Sequence, residues 1–300
     1  MAADARINTD YERRPYWHAT MPALPDRSGR ALPDAADAVV IGGGYTGIAA
    51  ARKLALQGAR VVLLEANNLG WGASSRNGGI CHPGFKWDPG TLVKKYGREL
   101  AHALYAETVE ATNLLEGIVR DQKVDAELRY NGYLVLAWAR SHAEGFADEV
   151  ADLAEVGTPS RVIPRDQLSS EIGSNAYHGG LAIDAGGVIH PGKWFAASAA
   201  LAERAGAELH EGVRATSIRR QADGRFVVET KRGAIHARDV LVATNGYTDG
   251  VAPTLRRRII PIGSYIVATE PLSESLAKEL SPTGRAYFDT RNFLSYWHAT

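Results

Sequence analysis

Apolar positions along this chain alternate between two patterns. Short β-branched runs end at glycine, and longer stretches space their apolar residues by threes and fours. Ala38–Ile41 and Val61–Leu64 are runs of the first kind. With no polar residue between apolar ones, they suit strands buried on both faces. Between them, Ala49, Ala50, Ala51 and Leu54 predict a helix of small residues from Thr46 to a C′ glycine at Gly58. Strand, helix and strand in this order predict an α/β fold.

The same patterns divide the rest of the chain. Residues 91–122 are predicted helical, with Leu92, Tyr96, Leu100, Leu104, Leu114, Leu115 and Ile118 on the apolar stripe. Residues 127–138 alternate around a bend at Asn131-Gly132, and 141–155 form a helix capped by Ser141 and stopped by Gly157. A short strand at 161–164 and a short helix at 166–172 follow. Residues 179–191 then form two strands joined by glycines, with His190 in a loop. A helix at 192–205 stops at Gly206. Strands are expected at 207–210, 213–218, 225–230 and 239–243, the last of them buried, with an Asp223-Gly224 hairpin in the series. Residues 259–270 read as a strand interrupted by Pro261 and Gly263, and 287–298 as a final strand pair. Met1–Ala36, with Pro15, Pro22, Pro25 and Pro33, reads as an extended arm anchored by Tyr16, Trp17 and Met21.

Composition narrows the classes. The chain has 300 residues, enough for two domains. Lys+Arg and Asp+Glu are equal at 34 each, so no electrostatic footprint for nucleic acid is present. Cys81 is the one cysteine, which excludes an internal disulfide framework and a redox cysteine pair. Cys81 and His82 lack a matching pair of ligands, so no metal site is expected. No apolar run reaches the length of a membrane span, and the first residues hold no apolar signal core. The expected location is the cytoplasm.

The chemistry concentrates between Asp37 and Gly79. Gly42, Gly44 and Gly47 fill the three positions of G-x-G-x-x-G between a strand and a helix. Tyr45, Thr46 and Gly47 open that helix, where unpaired N–H groups and the positive dipole end favour a phosphate. Glu65, followed by Ala66, ends the second strand about 20 residues beyond Gly42, where this motif places an acid on a ribose. A carboxylate there accepts from ribose hydroxyls and repels a 2′-phosphate, which disfavours NADP. FAD and NAD share this half-site. The next loop, Gly70-Trp71-Gly72-Ala73-Ser74-Ser75-Arg76-Asn77-Gly78-Gly79, can wrap a second phosphate with backbone N–H groups while Arg76 or the serines offset charge.

That loop resembles the corresponding loop of the D-amino-acid oxidase family of flavoproteins, which includes glycine and sarcosine oxidases. Its GASSRNGG form is most similar to the gamma-glutamylputrescine oxidase branch, as is the leader Tyr16-Trp17-His18-Ala19-Thr20-Met21-Pro22. The resemblance extends to the helix, strand and meander of residues 192–246. It implies a Rossmann-type FAD-binding domain with a β-rich α+β substrate lobe. The arm would be 1–33, the FAD domain 34–88 with 186–250, and the lobe 89–185 with 251–300. It further implies that residues 72–79 run along FAD, that Val213 meets the adenine through its backbone, and that the turn Ala243-Thr244-Asn245-Gly246 approaches the cofactor. Because the loop has no histidine, FAD would be held without a covalent bond at the residues present.

The implied reaction is oxidation of a C–N bond in a small amine or amino acid, with dioxygen or another electron acceptor taking the electrons. Asn77, His82, Tyr265 and Tyr296 are the candidate catalytic residues. A hydroxy-acid or polyol dehydrogenase on the same fold, and a non-catalytic dinucleotide-binding protein, stay open. Family members continue with a glycine-containing strand–helix unit that borders the flavin. None is recognised here after Glu65, so the expected chain holds the N-terminal majority of an oxidase, its lobe incomplete.

Overall fold

The computed structural model of the chain describes residues 12–300. It folds as two compact units, one running through Arg76 and resuming over Pro191–Ile266, the other made of Asn77–His190 and Val267–Thr300.

The first unit is built on a six-stranded sheet. Its order is Glu208–His210, Val61–Leu64, Ala35–Ile41, Gly233–Val242, Phe226–Thr230, Ala215–Arg220. The first four strands pair in parallel, and the last three form an antiparallel meander. Val61–Leu64 is buried at every residue, as an uninterrupted apolar run predicts. Its side chains alternate between two cores. Leu63 joins Val40, Leu209, Ile48 and Phe195, beneath helices Tyr45–Leu56 and Pro191–Arg204. Val62 and Leu64 join Val39, Ile41, Val213, Val228 and Ile235 on the opposite face.

The arm is tied to this unit by charge as well as by packing. Trp17, in a short helix Tyr16–Thr20, is buried, while Tyr16 is exposed. Arg27 is buried and bonds Glu203 through Nε and Nη2 at 3.0 and 2.6 Å, and the Pro25 carbonyl through Nη1 at 2.7 Å. Glu211 accepts from the backbone N–H groups of Arg27 and Leu69 at 3.1 and 2.7 Å. A buried guanidinium costs several kcal/mol in lost hydration unless its donors are met, and here the fork and a carbonyl meet them. The arm is thus part ordered coil and part helix, and its expected portion before residue 12 lies outside the described residues.

The second unit holds a five-stranded sheet ordered Tyr296–Trp297, Ala286–Asp289, Tyr133–Leu136, Gly180–Ile183, Ser160–Ile163. Only Ala286–Asp289 and Tyr133–Leu136 pair in parallel. A two-stranded ladder joins Ile80–Cys81 to Gly187–Val188. Among the described residues, no helix is long and apolar enough to cross a membrane.

Several expectations change. The helix predicted over 91–122 is two, Pro89–Tyr96 and Arg98–Asp121, because Gly97 adopts φ 81° between them. The helix predicted over 141–155 also divides, into Arg140–Glu144 and Phe146–Glu155, and Ala139 rather than Ser141 precedes it. Residues 165–170 form a 3₁₀ turn. Only Tyr133–Leu136 of the alternating stretch 127–138 is a strand. Gly233–Val242 is one long strand whose end is open, Leu241 being 37% exposed, where a buried strand was expected. Residues 259–270 form no strand. Pro261 removes a ladder donor, and Ile260, Ile262 and Val267 face outward. His190 lies between elements, as expected of a loop residue, but is buried, its backbone N–H donating to the Ala126 carbonyl at 2.8 Å.

His210 gives the first unit an acid limit. It is buried, neither ring nitrogen has a hydrogen-bond partner among the described residues, and the nearest carboxylate, Glu208, lies 3.6 Å from Nε2. Burial pulls its pKa below the ordinary 6.5 despite Glu208, with Arg30 and Arg232 adding to the fall. Burial also lowers His18. Between the folded value and 6.5 the unfolded chain binds protons that the folded chain does not. Stability is therefore full above 6.5 and falls as pH drops toward the folded value. The expected result is a lower Tm at about pH 5.5 than at about pH 7.5, with the difference reduced in His210→Leu. An undiminished difference in that variant assigns the acid limit to other groups.

Candidate dinucleotide site

The site begins where a strand, a turn and a helix come closer than any side chain allows. Gly42 has φ 112°, and a Cβ there would stand 2.5 Å from the Ala243 carbonyl oxygen. A Cβ on Gly47 would collide with the Gly42 carbonyl oxygen. The first glycine therefore makes the turn beside Gly233–Val242, and the third seats the helix on the turn. The Gly42 N–H donates to the Leu64 carbonyl and the Ala243 N–H to the Ile41 carbonyl, at 2.9 and 2.8 Å, so both neighbouring strands fix the turn.

Glu65 closes the turn from the second strand. Its Oε2 accepts from the Gly43 N–H and its Oε1 from the Asn67 N–H, both at 2.8 Å. Each carboxylate oxygen keeps a second lone pair for a further donor. The Glu65 carbonyl also accepts from the Val213 N–H at 2.8 Å, which brings Val213 to the same strand end. Ala66 is half-buried beside it. At the helix start, the Tyr45 N–H donates to Ser74 Oγ at 2.9 Å, while the Thr46 and Gly47 N–H groups have no hydrogen bond to a described residue. A Cβ on Gly44 would meet the same Ser74 oxygen at 3.0 Å. These features fit the adenosine diphosphate half of a dinucleotide: bare backbone and unmatched donors at the helix start, a carboxylate at the second strand.

The following loop is shaped by aromatic rings. A Cβ on Gly70 would lie 2.8 Å from Phe195, and one on Gly72 would lie 3.0 Å from Tyr247. Trp71 packs edge-on to Tyr247, ring centres 5.3 Å apart, and the Arg76 guanidinium sits 5.4 Å from the Trp71 centre. Ala73–Ser75 is a 3₁₀ turn, and Ser75 is wholly buried. The turn holding Thr244 and Gly246 is closed by Thr244 Oγ1 on Thr248 Oγ1 at 2.6 Å.

Asn77, Gly78, Gly79, His82 and Tyr296 belong to the second unit. There the Gly79 N–H donates to Asn77 Oδ1, and the Ile189 N–H to the Gly79 carbonyl, at 2.8 and 2.7 Å. A Cβ on Gly78 would stand 2.6 Å from the Tyr296 ring. His82 packs against Tyr133 and Phe288, and Phe288 in turn against Tyr296. Its Nδ1 lies 2.8 Å from the Pro83 carbonyl oxygen. Burial raises the pKa of the Tyr133 phenol and the Cys81 thiol, so both stay protonated at neutral pH. Tyr265 is not part of this unit. It lies in the first unit, in no strand, and is 92% exposed.

Two histidines escaped the sequence reading. His18 Nε2 lies 2.6 Å from Ser75 Oγ, and His298 Nε2 lies 2.8 Å from the Gly78 carbonyl oxygen. Each is distant in sequence from the loop it touches. The aromatic leader around His18 was the available signal for the first, and nothing in the pattern marked the second.

Comparison with known proteins agrees with this geometry. Residues 37–297 match the family described as DAO, FAD dependent oxidoreductase. The gamma-glutamylputrescine oxidoreductase of Escherichia coli (strain K12) is 31% identical over 88% of this chain and 62% of its own length. The chain therefore spans less than two thirds of that relative. In fold it is similar to the L-proline dehydrogenase of P. horikoshii, with a TM-score of 0.67 over 90% of this chain and 68% of that one at 19% identity. The glycine oxidase of Geobacillus kaustophilus gives a TM-score of 0.63 over 75% and 59%, at 23% identity. With a match across well over half of its residues, the chain belongs to the DAO family of FAD-dependent oxidoreductases.

Proposed function

We propose that this chain binds FAD without a covalent bond and serves the oxidation of a C–N bond in a small amine or amino acid. The observation that carries the reading is the Gly42–Gly47 turn closed by the Glu65 carboxylate. The similarity to a gamma-glutamylputrescine oxidoreductase supports the substrate class.

In this reading Gly42, Gly44 and Gly47 admit the pyrophosphate to bare backbone, and the Tyr45–Gly47 helix start faces it. Glu65 accepts from the adenosine ribose, with Ala66 beside it, and Val213 borders the adenine. Ala243, Thr244 and Gly246 flank the turn from the neighbouring strand. Residues 72–79 follow the cofactor toward its ring, with Arg76 as their one cation. Bound FAD would supply the redox chemistry, a hydride acceptor for the carbon that bears nitrogen with dioxygen or another acceptor as the final electron sink, and the imine product would hydrolyse to an aldehyde or keto acid. The substrate must present a neutral amine. His82, held between two rings, is the candidate to take the ammonium proton. Asn77 and Tyr296 are the candidates to orient the substrate, and Tyr265 keeps that role only if a partner segment covers it. The lone Cys81 suits a reducing cytoplasm.

The deciding experiment is a visible spectrum of the purified protein, followed by an anaerobic panel of amines, amino acids and hydroxy acids. Bleaching by amines supports the proposal. Bleaching by hydroxy acids or polyols alone assigns the site to a dehydrogenase of another bond, and a colourless, folded protein rejects the flavin reading.

The cofactor released should be FAD and not FMN, which lacks the ribose that Glu65 would hold. Glu65→Ala should weaken FAD by about 1.5–3 kcal/mol, the scale of hydrogen bonds to a charged group. Glu65→Gln, which keeps one acceptor oxygen, should fall between. Equal affinity in all three proteins removes Glu65 from the site.

Acid precipitation should leave the flavin in the supernatant, since residues 70–79 contain no histidine to tether it. A flavinylated peptide from this loop would refute that.

Arg76→Ala should loosen FAD and lower its potential by about 30 mV, tenfold in a two-electron equilibrium, because the reduced ring gains negative charge. Arg76→Lys should restore the potential more than the affinity, having charge without the planar fork. Potentiometric titration of both variants decides; no change in Arg76→Ala makes Arg76 a surface group stacked on Trp71.

A further inference from the structure

The Ser75 hydroxyl is the one wholly buried side-chain oxygen in the turn Ala73–Ser75, and its bonding is determined by its neighbours. Its oxygen lies against the Gly70 carbonyl, which can only accept, so the hydroxyl proton goes there. The His18 Nε2 at 2.6 Å must then carry a proton and donate to Ser75 Oγ. Burial, with Arg76 and Arg14 nearby, holds the imidazole below its ordinary pKa. At neutral pH it is therefore the uncharged tautomer with hydrogen on Nε2.

The surroundings make this bond a brace. Helix Pro191–Arg204 is the common support: a Cβ on Gly192 would stand 2.7 Å from the Trp17 carbonyl oxygen, and one on Gly70 would strike Phe195. Tyr45 Oη donates to the Pro191 carbonyl at 3.0 Å, tying the first helix to the same support. The Arg14 guanidinium holds the His18 carbonyl at 2.6 Å. The adjacent Ser74 oxygen receives the Tyr45 N–H at the glycine turn. Freed from His18, Ser75 loses its one side-chain donor among the described residues, and the 3₁₀ turn beside Ser74 loses that anchor.

We propose that His18 is a positioning residue for the dinucleotide, acting through Ser75 to hold residues 70–76 in their binding shape. The inference rests on the FAD reading above for its ligand, and on the apoprotein geometry for its mechanism. The arm thereby becomes part of the cofactor site without touching the cofactor.

Two measurements test it. In the protein without FAD, His18→Ala should speed amide hydrogen exchange in residues 71–76 and leave 61–64 unchanged, and His18→Gln, which replaces the donor, should restore protection. In FAD titrations, His18→Ala and Ser75→Ala should each weaken binding about tenfold, the upper range for one hydrogen bond, with no further loss in the double variant. His18→Gln should stay within about twofold of the parent. Unchanged exchange in His18→Ala overturns the brace. Faster exchange with unchanged FAD affinity, or fully additive losses in the double variant, overturns the positioning role. A parent that binds no FAD defeats the functional reading instead, while the exchange result still decides whether His18 holds the loop.

Discussion

The absence of side chains at Gly42 and Gly47 is the constraint on which the first unit depends. The carbonyl oxygens of Ala243 and Gly42 occupy the space where two Cβ atoms would stand. That proximity lets the helix start at the strand end without a connecting loop. The Gly43 N–H is then met by Glu65 and the Tyr45 N–H by Ser74, while the Thr46 and Gly47 N–H groups have no hydrogen bond to a described residue. Any larger residue would push the helix off the sheet and separate the core of Val40, Ile48 and Phe195. The packing of strand, turn and helix is set by the same two atoms that are missing.

Charge is arranged with similar economy. Glu65 meets two N–H groups of its own chain. Those bonds fix the orientation of the carboxylate within the chain itself, which removes side-chain entropy before any further donor is met. The loop beyond it is held differently, by ring contacts and by one cation lying on Trp71. Such contacts tolerate sliding more than directed hydrogen bonds do. The rigid part of this region is therefore the glycine turn with Glu65, and the adjustable part is the loop that leads away from it.

How far the fold could be read in advance follows from where its information lies. Val61–Leu64 was legible to the residue because four consecutive apolar side chains need a sheet covered on both faces. The glycine turn and Glu65 were legible because their spacing answers to one ligand geometry. Gly97 defeated the single long helix: apolar periodicity continues across it, while its positive φ does not. Residues 259–270 carry strand-forming side chains, but a strand needs a partner edge, which no local pattern supplies. The link from His18 to Ser75 spans 57 positions and the one from His298 to Gly78 spans 220, so no spacing rule could pair them.

The Arg27 fork has a consequence in time as well as in space. Its partner Glu203 lies 176 positions later, and the segment between them includes the whole of the second unit's first portion. During synthesis at about 5–20 residues per second, the arm waits on the order of 10–35 s for its carboxylates. Until then its guanidinium stays in water, and Trp17 has no helix to cover it. The first unit is begun before the second yet cannot close until the inserted segment is made, so its nascent apolar strands must meanwhile be kept apart from other chains.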